Sequence, residues 1–107
     1  MSSGIITGNL NSMGVASVAL TPAEVAINTT AEQTFTVPGL RANDVIVGVS
    51  KPTAQAGLGI VGYRVSAANT VAITFANVTG GAITPTAGET YLITWARPDA
   101  TLAGVSP

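Results

Sequence analysis

The side chains here that can do acid–base or ligand chemistry are few. They are Glu24, Glu32, Asp44, Glu89 and Asp99, with Arg41, Lys51, Arg64 and Arg97; the chain has no Cys and no His. Two carboxylates held at the right separation can act as general acid and base. Glu32 and Glu89 are the pair to consider, although each also reads as a solvated charge near the start of a strand. A hard cation needs several clustered oxygen ligands. Asp44, Asn43 and Asn77 are the candidates, but Asp44 follows the turn signal Ala42-Asn43 and reads as a cap bonded to that turn's backbone. Gly57-Leu58-Gly59-Ile60-Val61-Gly62 matches Gly-x-Gly-x-x-Gly, which binds a dinucleotide only where a strand precedes it and a helix opens at it. Here it runs into the strand-like Tyr63-Arg64-Val65-Ser66, so it reads as a glycine-loosened strand. Val78-Thr79-Gly80-Gly81-Ala82 lacks the Lys-Ser/Thr of a phosphate loop. Arg64 either faces solvent, or faces a partner or an aromatic ring. These residues lead us to expect no catalytic residue, no metal site and no cofactor.

The elements that must position these residues are strands. Gln33–Val37 alternates with Phe35 and Val37 on one face. Asp44–Ser50 places Val45, Val47 and Val49 on one face. Leu58–Ser66 is a longer strand, and Val71–Asn77 sets Val71, Ile73 and Phe75 inward. Ala67-Ala68-Asn69-Thr70 links these two as a hairpin, with Asn69 suited to a positive φ. Glu89–Arg97 carries Tyr91, Ile93 and Trp95 on its core face, and Pro98 stops it. Val15–Leu20 is a first strand ended by Thr21-Pro22. Pro22–Ala26 is expected to open a short helical turn with Thr21 as its cap. Strands divided by turns, with no helical segment of normal length, predict an all-β fold. The expected form is a β-sandwich or jelly-roll-like barrel of short antiparallel strands with extended terminal arms.

One domain fits 107 residues. We divide the chain into an N-terminal arm at 1–14, a β-domain at 15–97 and a C-terminal tail at 98–107. Ile5, Ile6 and Leu10 in the arm, and Leu102 and Val105 in the tail, are isolated apolar residues suited to anchoring on a partner. Only 8% of residues are charged while 47% are hydrophobic, against a usual charged quarter. Four scattered cations make neither a nucleic-acid stripe nor a polybasic membrane patch. No run approaches the roughly 20 apolar residues of a membrane span. The N-terminus lacks the charged and apolar regions of a secretory signal, so synthesis and residence in the cytoplasm, or in an assembly built there, are expected. A surface so poor in charge suits a protein largely covered by partners.

One block of the chain carries a resemblance. It runs through Asp44-Val45-Ile46-Val47-Gly48-Val49-Ser50-Lys51-Pro52, Ala56-Gly57-Leu58-Gly59-Ile60 and Arg64-Val65-Ser66-Ala67-Ala68-Asn69-Thr70-Val71-Ala72-Ile73-Thr74-Phe75, then Asn77, Thr84-Pro85 and Tyr91. This series resembles a module of small structural proteins of tailed bacteriophages, and its Arg64–Asn77 run is the distinctive part. The resemblance implies a virion protein of the head-decoration (cement) type. Such a protein is β-rich, self-associates as a homotrimer, binds between major capsid subunits on the capsid exterior and stabilises the head. The alternative it leaves open is a receptor-binding or fibre module that recognises a cell-surface group. It carries over no catalytic residue.

Overall fold

The computed structural model describes residues 10–98 of the chain. Six strands follow one another: β1 (Leu10–Leu20), β2 (Thr29–Thr36), β3 (Val45–Ser50), β4 (Leu58–Ala67), β5 (Thr70–Asn77) and β6 (Glu89–Pro98). They form two antiparallel three-stranded sheets, ordered β1-β6-β3 and β2-β5-β4. Of the two architectures expected, this is the sandwich. Only the β4–β5 hairpin joins neighbours within a sheet; every other connection crosses from one sheet to the other.

The core is aliphatic with two aromatic rings. Leu20, Val25, Val37, Leu40, Ile46, Val71, Ile73, Phe75, Tyr91 and Ile93 are buried between the sheets. The central strands β5 and β6 supply half of these residues, because a central strand is shielded along both edges as well as on its inner face. The alternations expected at Val71/Ile73/Phe75 and Tyr91/Ile93/Trp95 point inward, with Trp95 partly buried against the cluster. The hairpin at Ala68-Asn69 has Asn69 at φ 60°. Its side-chain oxygen accepts from the Gly39 N–H at 2.8 Å, and its own N–H donates to the Leu40 carbonyl at 2.8 Å. The hairpin tip is thereby tied to the corner leading to β3.

Three expectations are corrected. First, β1 begins at Leu10, so residues 10–14 of the expected arm belong to the sheet, where Leu10 pairs with Pro98 and Gly14 with Trp95. Pairing with β6 outweighs the weak strand propensity of Asn11-Ser12-Met13-Gly14. Second, Pro22–Ala26 is extended. The Gln33 side chain grips Ala23 at both backbone groups, accepting its N–H at 2.7 Å and donating to its carbonyl at 2.9 Å. Val25 forms a bridge with Ile83 through bonds of 2.8 and 3.1 Å. Two long-range clamps thus satisfy backbone groups that a helical turn would have satisfied locally. Third, Val45, Val47 and Val49 do not share a face. Ile46 is the buried residue, and a bulge at Val47 shifts the register so that Val49 turns inward again. Where both faces of a strand are apolar, alternation cannot tell inside from outside, and a bulge resets the phase.

Candidate functional site

The polar residues proposed from the sequence are dispersed, and Glu32, Arg64, Glu89, Asp44 and Asn77 are each engaged by a partner, while Asn43 is exposed. Glu32 lies on β2 and Glu89 on β6, in different sheets, each with its own cation. Glu89 is not the solvated charge expected: it is partly buried, 2.9 Å from Lys51 Nζ, and accepts from the Thr53 hydroxyl. That hydroxyl first, then Lys51, holds its carboxyl below the usual range. Glu32 is exposed and receives Arg64 Nε and Nη2, each at 3.0 Å; the Arg64 hydrogen bond lowers its pKa. Arg64 thus faces outward on β2-β5-β4 and spans β5, over the fully buried Ala72.

Asp44 caps its turn as expected, accepting the Arg41 N–H at 2.9 Å, and it also receives a two-point fork from Arg97. The Arg97 hydrogen bond is the main cause of its lowered pKa. Asn77 does not meet Asp44 or Asn43. It is buried with its amide donating to the Val25 and Gly81 carbonyls, while its oxygen accepts from the Thr79 N–H and hydroxyl. The Gly57–Gly62 run opens with Gly57 at φ +81° and continues as β4, with no helix following. Among the described residues no group of three or more acidic side chains could hold a metal ion. Nor is any helix among them long and apolar enough to cross a membrane. Ile5, Ile6, Leu102 and Val105 lie outside the described residues.

What the fold does assemble is a surface. Along β1 the outward residues are Met13, Val15, Ser17 and Ala19, opposite Ala96, Thr94, Leu92 and Thr90 of β6. On the other side of β6, Ala96, Thr94 and Leu92 face Val45, Gly48 and Ser50 of β3, with the bulged Val47 beside them. No charged residue stands in any of these rows. Met13, Val15, Val45, Val47 and Leu92 are each between 46% and 61% exposed. The outer face of the second sheet differs, carrying Glu32, Arg64 and the threonines Thr34, Thr36 and Thr74.

At about 4.8 Å between strands and about 3.3 Å per residue, the uncharged face measures about 14 Å by 20–25 Å. That places it near the roughly 300–600 Å² of the largest apolar patch on an ordinary monomer, a size that often marks a binding surface. The face is not legible from any one strand: Leu92 and Ala96 alternate with the core residues Tyr91, Ile93 and Trp95, but nothing local shows that Val45, Val47 and Met13 join them. The absence of charge from β1 and β3, and from the alternate positions Thr90, Leu92, Thr94 and Ala96 of β6, is the available signal.

Comparison with protein-family models, with characterised proteins and with solved structures finds no match to this chain.

Proposed function

We propose that this protein is a structural assembly protein, without catalytic activity, that attaches through the uncharged outer face of β1-β6-β3. The observation that carries this reading is the co-location of five half-exposed apolar side chains, from three strands, on a face with no charge. Desolvating such a face loses no ionic hydration, so association gains the apolar contribution without the offset that buried charges impose. The carboxylates argue in the same direction. A general acid needs a pKa raised toward neutrality, whereas Glu32, Asp44 and Glu89 are all lowered by their partners.

The resemblance of Asp44–Tyr91 to phage virion proteins supplies the partner. The proposed role is a capsid decoration protein, made in the host cytoplasm, that binds between major capsid subunits on the exterior of the head. The face is smaller than the roughly 800 Å² per partner of a standard stable interface. One contact of this size is weak, and attachment at many equivalent sites, with further contact from residues 1–9 and 99–107, provides the required avidity. The receptor-binding alternative draws less support. Tyr63 is tied by its hydroxyl to the Val47 carbonyl, and Trp95 lies under the Arg97 guanidinium at 4.8 Å, so neither offers a free aromatic platform.

Antibody labelling of intact phage particles in the electron microscope tests the reading. Label distributed over heads is expected. Label confined to tail tips would favour the receptor reading, and particles without label would overturn both.

A further inference from the structure

We propose that β1 is a dimerisation edge, pairing antiparallel with β1 of a second copy about a two-fold axis near Val15. The inference goes beyond the capsid reading and does not depend on it.

An edge strand presents unpaired N–H and C=O groups, and proteins normally guard it with charge, proline, bulges or a covering segment. The described part of the fold has four such edges: β1 and β3 in one sheet, β2 and β4 in the other. Three are guarded. β2 carries Glu32 near its centre, paired with Arg64. β3 is short and interrupted by the Val47 bulge, whose carbonyl accepts the Tyr63 hydroxyl at 3.3 Å. β4 has register shifts at two places and carries Arg64. β1 is different. It runs for 11 residues without a charge or a proline, and its one register shift lies at the far end, between Leu10 and Ser12. Among the described residues, β6 is its sole strand partner.

The occupant follows from complementarity. An unguarded edge pairs best with another unguarded edge, and among the described strands the chain offers one, β1 itself. Head-to-tail pairing onto β2, β3 or β4 meets a bulge or a charge, whereas β1 against β1 meets neither. Antiparallel self-pairing over the full strand sets Val15 opposite Val15 and Met13 opposite Ser17, so that a large residue faces a small one beside the central pair. An isologous contact of this kind closes as a dimer and does not propagate into a fibre. It would fuse two three-stranded sheets into one of six strands and join two uncharged outer faces into one. This arrangement departs from the threefold ring that the resemblance implies.

Sedimentation velocity on the purified full chain tests the proposal, with far-ultraviolet dichroism and a thermal midpoint for each variant. The wild type is expected to sediment as a dimer. Val15→Lys places like charges directly opposite each other across the axis and is expected to raise the dimer dissociation constant at least tenfold. Ser17→Lys is a second variant at the same edge, should Val15→Lys fail to fold. Val61→Lys, an equally exposed position on the edge strand β4, is expected to leave the dimer intact. Leu92→Lys, on the same outer face but on the central strand β6, is also expected to leave it intact. A monomeric wild type overturns the proposal, as it would if β1 were covered by a terminal segment of its own chain or reserved for a different protein. A folded edge variant that dimerises as tightly as the wild type overturns it as well. Dissociation by Leu92→Lys would show stacking of outer faces, and dissociation by Val61→Lys would show pairing through β4; either result replaces β1 as the interface.

Discussion

Arg97 holds Asp44 with two parallel hydrogen bonds, Nε to Oδ1 at 2.9 Å and Nη2 to Oδ2 at 2.8 Å. The pair joins the end of β6 to the turn before β3, across 53 residues of sequence. The Asp44 side chain is almost wholly buried there, and Arg97 covers one end of the core by lying over Trp95 while donating to the Gly39 carbonyl. The fork therefore fixes where β3 enters the sheet that carries the apolar face.

Acid should release this lock. The folded-state pKa of Asp44 is depressed, chiefly by the Arg97 hydrogen bond. A depressed carboxylate contributes stability that is complete above its unfolded value, about 3.9, and is lost as pH falls through the folded value. Asp44→Asn is expected to cost about 1.5–3 kcal/mol at pH 7, the range for a hydrogen bond to a charged group. The gap between variant and wild type should narrow as pH falls below about 4. Urea unfolding at a series of pH values checks this, and a gap independent of pH would contradict it.

The assignment of faces on β3 is open to direct test. Ile46 is buried and Val45 is half exposed. Ile46→Ala is expected to destabilise by about 2–5 kcal/mol, and Val45→Ala by less than about 0.5 kcal/mol, as for a surface change. Chemical denaturation of both variants measures the contrast, and equal losses would contradict the bulged register.

Gly14 lies opposite Trp95, and a Cβ there would stand 2.8 Å from the indole ring. Gly14→Ala must displace the ring or the strand, at a cost of about 1–3 kcal/mol, typical of overpacking. Trp95 is the one tryptophan of the chain, so its fluorescence emission reports the displacement. A shifted emission maximum with a lowered unfolding midpoint is expected, and an unchanged spectrum would show that the contact is not made.

Arg64→Ala should leave the unfolding midpoint nearly unchanged. Its pair with Glu32 is solvent-exposed on both sides, and such pairs contribute little against screening and side-chain entropy. A large loss in a thermal melt would show that covering Ala72 matters more than the ionic contact.

How much was legible in the sequence depended on whether the deciding contact was local. β5 and β6 could be read because large residues alternate with small or polar ones, and Asn69 declared its turn by its tolerance of positive φ. Asp44 could be read as a turn cap from its neighbours, but Arg97, far along the chain, could not be found as its partner. The start of β1 is not legible because pairing with β6, not propensity, extends the strand from Gly14 back to Leu10. The helical turn at Pro22–Ala26 gave way to Gln33 and Ile83, two distant partners that no local pattern reveals. The uncharged face is only half legible: poverty of charge predicts a surface short of ionic groups, but which side of Val45-Ile46-Val47 points outward depends on a bulge.

The central claim is the proposed attachment through the uncharged face, and a binding assay with isolated phage heads that lack this protein tests it most directly. Leu92 stands mid-face on β6 and, being half exposed, can be changed to lysine without disturbing the core. Wild-type protein is expected to sediment with the heads to saturation. Folded Leu92→Lys should bind at least tenfold more weakly, equivalent to about 1.4 kcal/mol per contact. Equal binding by the two proteins, or no binding by the wild type, would contradict the account.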